Sequence, residues 1–208
     1  MAERPTGRGE TYGGQTREER AADRRERLVG AAVQLFAAKD YDDVTVADVC
    51  SVARVSKRYF YDHFADREAL ALAIHREVNG WLLDGIAAAA PRDPAGLDDA
   101  LRPMIAALVR LLADNPERAR VVYINAPRME LRRRGVLREE AELFGRLLAP
   151  LAPRLREEHV RYQRTVLALI AGVSEVLIDW VWHDMRDPAE PLVEHLTGLC
   201  VALLRSGN

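Results

Sequence analysis

Two helix-start signals stand almost back to back in "DYDDVTVADVCSVARVSKRYFYDHF", residues 40–64. Thr45, followed three residues on by Asp48, has the form of a capping box, in which a hydroxyl and a carboxylate satisfy free backbone N–H groups at a helix start. Val46, Val49 and Ala53 fall on one face of the helix that this box opens. That helix must be short, because a second capping residue, Ser56, follows at once. Two short helices joined by a tight turn form a helix-turn-helix arrangement, and few folds accommodate that pairing.

The chemistry of the second helix is concentrated. Ten Tyr and Phe are spread over 208 residues, yet Tyr59, Phe60, Tyr61 and Phe64 lie within one short stretch. With Ser56 as cap, Phe60 and Phe64 share a face at i, i+4 and anchor the helix, while Lys57 and Tyr61 share another. Lys57, Arg58, Tyr59, Tyr61 and His63 are then free to project. Cations beside phenol hydroxyls suit phosphate oxygens and base edges. The competing reading is that the aromatics are core and the cations merely solvated.

Charge narrows the choice of partner. The net charge is −2, which excludes a wholly basic nucleic-acid binder, so any duplex contact must rest on local charge. Such a locality exists: no acid lies between Asp48 and Asp62, while Arg54, Lys57 and Arg58 do.

The rest of the chain reads as helix. Residues 1–16 lack apolar periodicity and are expected to be a disordered arm. Its arginines, with Arg17 and Arg20, are matched one for one by acids, so a minor-groove contact and plain disorder both stay open. A first helix begins near Arg17, with Leu28, Ala32, Leu35 and Phe36 on its buried face and a solvated, charged front half. Further helical patterns cover about 66–89, 98–113, 117–126, 137–156, 161–184 and 191–205, punctuated by Pro and Gly. Residues 130–140, "ELRRRGVLREE", are expected to form an exposed corner between helices. No alternating Val/Ile/Thr stretch suggests a strand. The expected fold is all-α: a helix-turn-helix domain at 17–65, then a larger helical domain at 66–208.

The N-terminus has no apolar signal segment, and the apolar run Thr165–Val173 is too short to span a bilayer. Two distant cysteines, Cys50 and Cys200, imply no disulfide framework. A cytoplasmic protein without membrane contact is expected.

From Tyr41 to Leu70 the sequence resembles the DNA-binding domain of the tetracycline-repressor-like (TetR) family of transcriptional regulators. The resemblance is carried by Tyr41, "VTVADV", Ala53, Val55-Ser56, "FYDHF" and "REAL". It implies that Thr45, Tyr61, His63 and Arg67 meet the DNA backbone and that Lys57, Arg58 and Tyr59 face the bases. A glycine common in the interhelix turn is Arg54 here, and small residues common in the recognition helix are replaced by Arg58 and Tyr59. Either Arg54 holds a left-handed conformation, or the turn differs; it also offers a further phosphate contact.

The same resemblance implies a homodimer through the last two helices, a small-molecule effector bound within the larger domain, and repression released by that effector. Trp81, Tyr123, Asn125 and Arg128 lie on helices that would surround such a pocket. Glu175, Asp179 and His183 form one polar stripe at i, i+4, i+8 beside Trp180 and Trp182. The stripe is a candidate for a cationic ligand or a metal, or else a solvated face. As a metal or acid-base site it would make the protein an all-α enzyme or metal-binding protein, the alternative to a regulator. No cofactor and no enzymatic activity are expected.

Overall fold

The computed structural model describes residues 16–125, 133–151 and 157–205. These described residues form nine α-helices and no strand. In chain order the helices are α1 (Arg17–Ala38), α2 (Val46–Ala53), α3 (Lys57–Tyr61), α4 (Arg67–Ala88), α5 (Leu97–Ala113), α6 (Pro116–Arg120), α7 (Arg133–Leu148), α8 (His159–Trp182) and α9 (Ala189–Arg205). A 3-10 turn, Tyr41–Asp43, precedes α2, and a π-helical turn, Val121–Asn125, follows α6. The chain divides into two compact units between Ala71 and Leu72, within α4. The first turn of α4 falls in the first unit, where Leu70 is fully buried.

In the first unit, caps set the helix starts. Thr16 and Glu19 exchange hydrogen bonds across the first turn of α1, with Thr16 N–H donating to the carboxylate at 2.7 Å. Thr45 and Asp48 do the same for α2. The two helices pack on each other, burying Leu28, Ala32 and Phe36 of α1 and Val49 and Ala53 of α2. Leu35, expected on the buried face of α1, is only half-buried, and Ala31 is buried in its place. The 3.6-residue period keeps position 35 on the same side as Leu28, so helix spacing does not explain its partial exposure. Phe36, Phe60 and Leu28 are the largest fully enclosed side chains here, and each contributes roughly 1.5–3 kcal/mol by leaving water.

In the second unit, α5 packs along α9 and α7 along α8. Leu101, Met104, Leu108 and Leu112 of α5 and Leu196, Cys200 and Leu204 of α9 are buried. Three boundaries depart from the sequence reading. The helix expected over 117–126 is α6 followed by the π turn. The helix expected over 137–156 begins earlier, at Arg133, and gives way to a 3-10 turn at Ala149–Leu151, where Pro150 cannot continue an α-helix. The corner expected over 130–140 is therefore helical from Arg133 onward.

The 24-residue α8 is long and apolar enough to cross a bilayer by length and composition, although its most apolar run alone is too short. Val166, Leu169, Ile170, Val173 and Leu177 bury one side of it within the second unit, as expected of a core helix. Both cysteines are free and buried, and enclosure pushes the Cys200 thiol up to about 12, which leaves it inert as a nucleophile.

Candidate nucleic-acid interface

The helix-turn-helix is built around a strained turn. Arg54 caps the C-terminus of α2 at φ 53°, ψ 44°, the left-handed conformation that glycine adopts without cost. For arginine this conformation costs about 1–2 kcal/mol. Two hydrogen bonds close the turn, from Arg54 N–H to the Ser51 carbonyl and from Val55 N–H to the Cys50 carbonyl. Cys50, Ala53 and Val55 are buried around it. Arg27 of α1 donates to the Arg54 carbonyl at 3.2 Å.

α3 has only five residues, too few to be stable alone. Its cap is weak, with Tyr59 N–H 3.5 Å from the Ser56 hydroxyl. Tertiary anchors hold it instead. Phe60 is 0% exposed and Phe64 is 6% exposed, and their rings pack at 5.8 Å. The opposite side is open: Lys57, Arg58, Tyr59 and Tyr61 are all exposed. Tyr61 stands edge-on to Phe60 at 5.3 Å, so a buried ring sets the pose of an exposed one.

Of the positions expected to meet the DNA backbone, Thr45 is exposed, and its hydroxyl donates to the Asp48 carboxylate at 2.6 Å. These hydrogen bonds hold the Asp48 carboxyl below the usual carboxylate range. His63 is half-buried, and its Nε2 is enclosed without a hydrogen-bond partner among the described residues. The Arg67 guanidinium lies against the 41–44 turn. It donates to the carbonyls of Tyr41 at 2.9 Å and Val44 at 2.6 Å, stacks 4.1 Å from the Tyr41 ring and pairs with Asp42 at 3.8 Å. Despite that cation, burial raises the Tyr41 phenol pKa.

The front half of α1, expected to be solvated, contributes directly. Arg24 and Arg25 are half-buried. The Arg24 guanidinium lies 4.4 Å from the Tyr59 ring, and that of Arg25 lies 5.7 Å from the Phe64 ring. With Arg27, three arginines of one helix reach α3, the residues just after it and the interhelix turn. The signal was present in the spacing: Arg24 lies one turn before Leu28, on the face that is buried.

Among the described residues the effector candidates in the second unit do not converge. Trp81 is half-buried beneath the Arg118 guanidinium, 4.6 Å away. Tyr123, half-buried, and Asn125 lie on the π turn, and Arg128 lies outside the described residues. Glu175 and Asp179 are exposed on α8, while His183 caps its end, its Nδ1 3.4 Å from the Asp179 carboxylate. Beside them, Trp180 is buried and donates to the Asp187 carbonyl at 3.1 Å, and Trp182 is exposed. Among the described residues no group of three His, Cys, Asp or Glu could hold a metal ion. A groove of about 700 Å³ runs between the start of α8 and the end of α9, lined by His159, Arg161, Arg164, Thr165 and Leu203 among others. Trp81, Tyr123, Glu175, Asp179 and His183 do not line it.

Comparison with known proteins bears on this geometry. Residues 28–74 match the bacterial regulatory proteins of the tetR family. No curated protein matches the chain. Among solved structures, the fatty acid degradation regulator FadR from Bacillus halodurans superposes with a TM-score of 0.69 at 19% identity, covering 86% of this chain and 94% of its own. FadR from Bacillus subtilis, in complex with stearoyl-CoA, gives 0.68 at 19% identity, covering 85% and 97%. A tetR-family regulatory protein from Rhodococcus RHA1 gives 0.64 at 20% identity, covering 87% and 96%. At these identities the likeness establishes the fold.

Proposed function

We propose that this chain, whose residues 28–74 match the bacterial regulatory proteins of the tetR family, is a homodimeric, cytoplasmic transcriptional repressor that binds operator DNA through α3 and is released by a small molecule. The observation that carries the reading is the exposed cationic and aromatic side of α3, held on the buried Phe60–Phe64 pair. Lys57, Arg58 and Tyr59 are assigned to base edges in the major groove, and Tyr61, with Arg54 and Thr45, to phosphates. His63 is assigned a phosphate contact as well. Arg67 serves the interface indirectly, by bracing the turn that leads into α2.

The dimer is assigned to α8 and α9. Val160 and Trp182, near the two ends of α8, are 56% and 58% exposed, and a partner would remove that apolar surface from water. A twofold partner would present its own α3 to a half-site about 34–36 Å away. An effector releases such a repressor only by binding one state of the protein better than the other. Because FadR from Bacillus subtilis carries stearoyl-CoA, an acyl-CoA is the first effector to try, with melting-temperature shifts as the readout.

The decisive experiment is a mobility shift on duplex selected from a random pool by the full-length protein. At matched salt, replacing Lys57 and Tyr61 together by Ala is expected to abolish selective binding. Undiminished binding by that variant would sink the assignment of α3.

A further inference from the structure

We infer that Arg24 of α1 is a positioning residue for sequence reading, fixing the Tyr59 ring on the recognition helix. The inference rests on the DNA-binding reading above and adds a determinant outside the helix-turn-helix itself. Tyr59 stands where the family commonly has a small residue, so its ring must be held in one pose if it is to read a base rather than obstruct docking. α3 cannot supply that restraint, being five residues long with a 3.5 Å cap contact at Tyr59 itself. The buried Phe60 and Phe64 fix the inner side of the helix and leave the outer ring free to rotate.

Arg24 closes that freedom. Its guanidinium lies 4.4 Å from the Tyr59 ring centroid, well within cation–π range. Its Nε is buried and has no hydrogen-bond partner among the described residues, so the cation is partly withdrawn from water at the ring, where such contacts are strongest. A planar guanidinium stacks on an aromatic face as an ammonium cannot. Tyr59 remains 43% exposed, which leaves surface for a base while one side of the ring is held by α1.

The test is a double-mutant cycle on duplex selected by the parent, with the ratio of specific to non-specific affinity as readout. Arg24→Met keeps the stem and removes the cation; Tyr59→Ala removes the ring. Each is expected to lower the ratio about three- to tenfold, to relax preference at the same base positions, and to have no added effect when combined. Arg24→Lys should restore part of the loss. Additive effects would overturn the inference, as would a uniform loss on all duplexes with a salt slope reduced by about one, the mark of a direct phosphate contact. Melting curves establish folding of each variant. Should Arg24→Met fail to fold, Arg24→Gln and Tyr59→Leu carry the same cycle with the same criteria. A parent that selects no sequence would refute the DNA-binding reading itself, an outcome distinct from a parent that selects normally while the cycle is additive.

Discussion

In the first unit, Arg24, Arg27 and Arg67 reach across to a ring, a turn carbonyl and a loop, so that polar side chains tie its short helices together. In the second unit, the polar residues with most functional promise, Glu175, Asp179 and His183, line the outside of α8, while Trp81 and Tyr123 sit on other elements. The difference teaches that the first unit fixes the geometry of its exposed α3 side with long polar side chains, whereas the second is organised around its apolar helix packing.

The largest test of this contrast is Arg67→Met. Removing charged hydrogen bonds to the Tyr41 and Val44 carbonyls is expected to cost about 2–3 kcal/mol, measured by urea denaturation. If Arg67 acted only on phosphate, stability would hold and DNA affinity alone would fall. A smaller effect is expected at the α2 cap, where Thr45→Ala should cost about 1 kcal/mol.

That cap also titrates. The Asp48 carboxyl is depressed by its bonds to Thr45, so its contribution is present above the unfolded carboxylate range and lost as pH falls through the folded value. Melting temperatures of parent and Asp48→Asn should therefore converge in acid and diverge toward neutral pH. Parallel curves would remove the cap from the account. The smallest effect is expected in the second unit: Glu175→Ala with Asp179→Ala should change stability by within about 0.5 kcal/mol. A larger loss, or stoichiometric metal in the parent by elemental analysis, would break the contrast by giving the stripe a role.

Much of the first unit was legible in the sequence because its signals are local. Thr45-x-x-Asp48 and Ser56 specify helix starts by bonds within one turn, and Phe60 and Phe64 meet through helical spacing alone. The positive φ of Arg54 was not legible in this way, since the residues left open whether it turns left-handed or the turn differs, and the structure has it left-handed. The spacing puts Arg24 on the buried face of α1, but the sequence hid which ring or carbonyl Arg24 and Arg67 reach, since a long side chain's partner depends on which distant element folds against it. Charged residues at the start of α1 read as solvated until α3 is placed. The π turn and the early start of α7 were hidden for a related reason, because neither carries a cap that the pattern could mark.

Arg54 sets the wish for a relaxed backbone against the wish for positive charge. A glycine there would ease the main chain by up to about 1–2 kcal/mol before its own entropic cost, yet it would withdraw one of the three cations from the acid-free window that carries α3. On the proposed reading, thermal robustness and grip on a polyanion are thus opposing demands on a single side chain, and a lineage or an engineer improving one should expect to surrender part of the other.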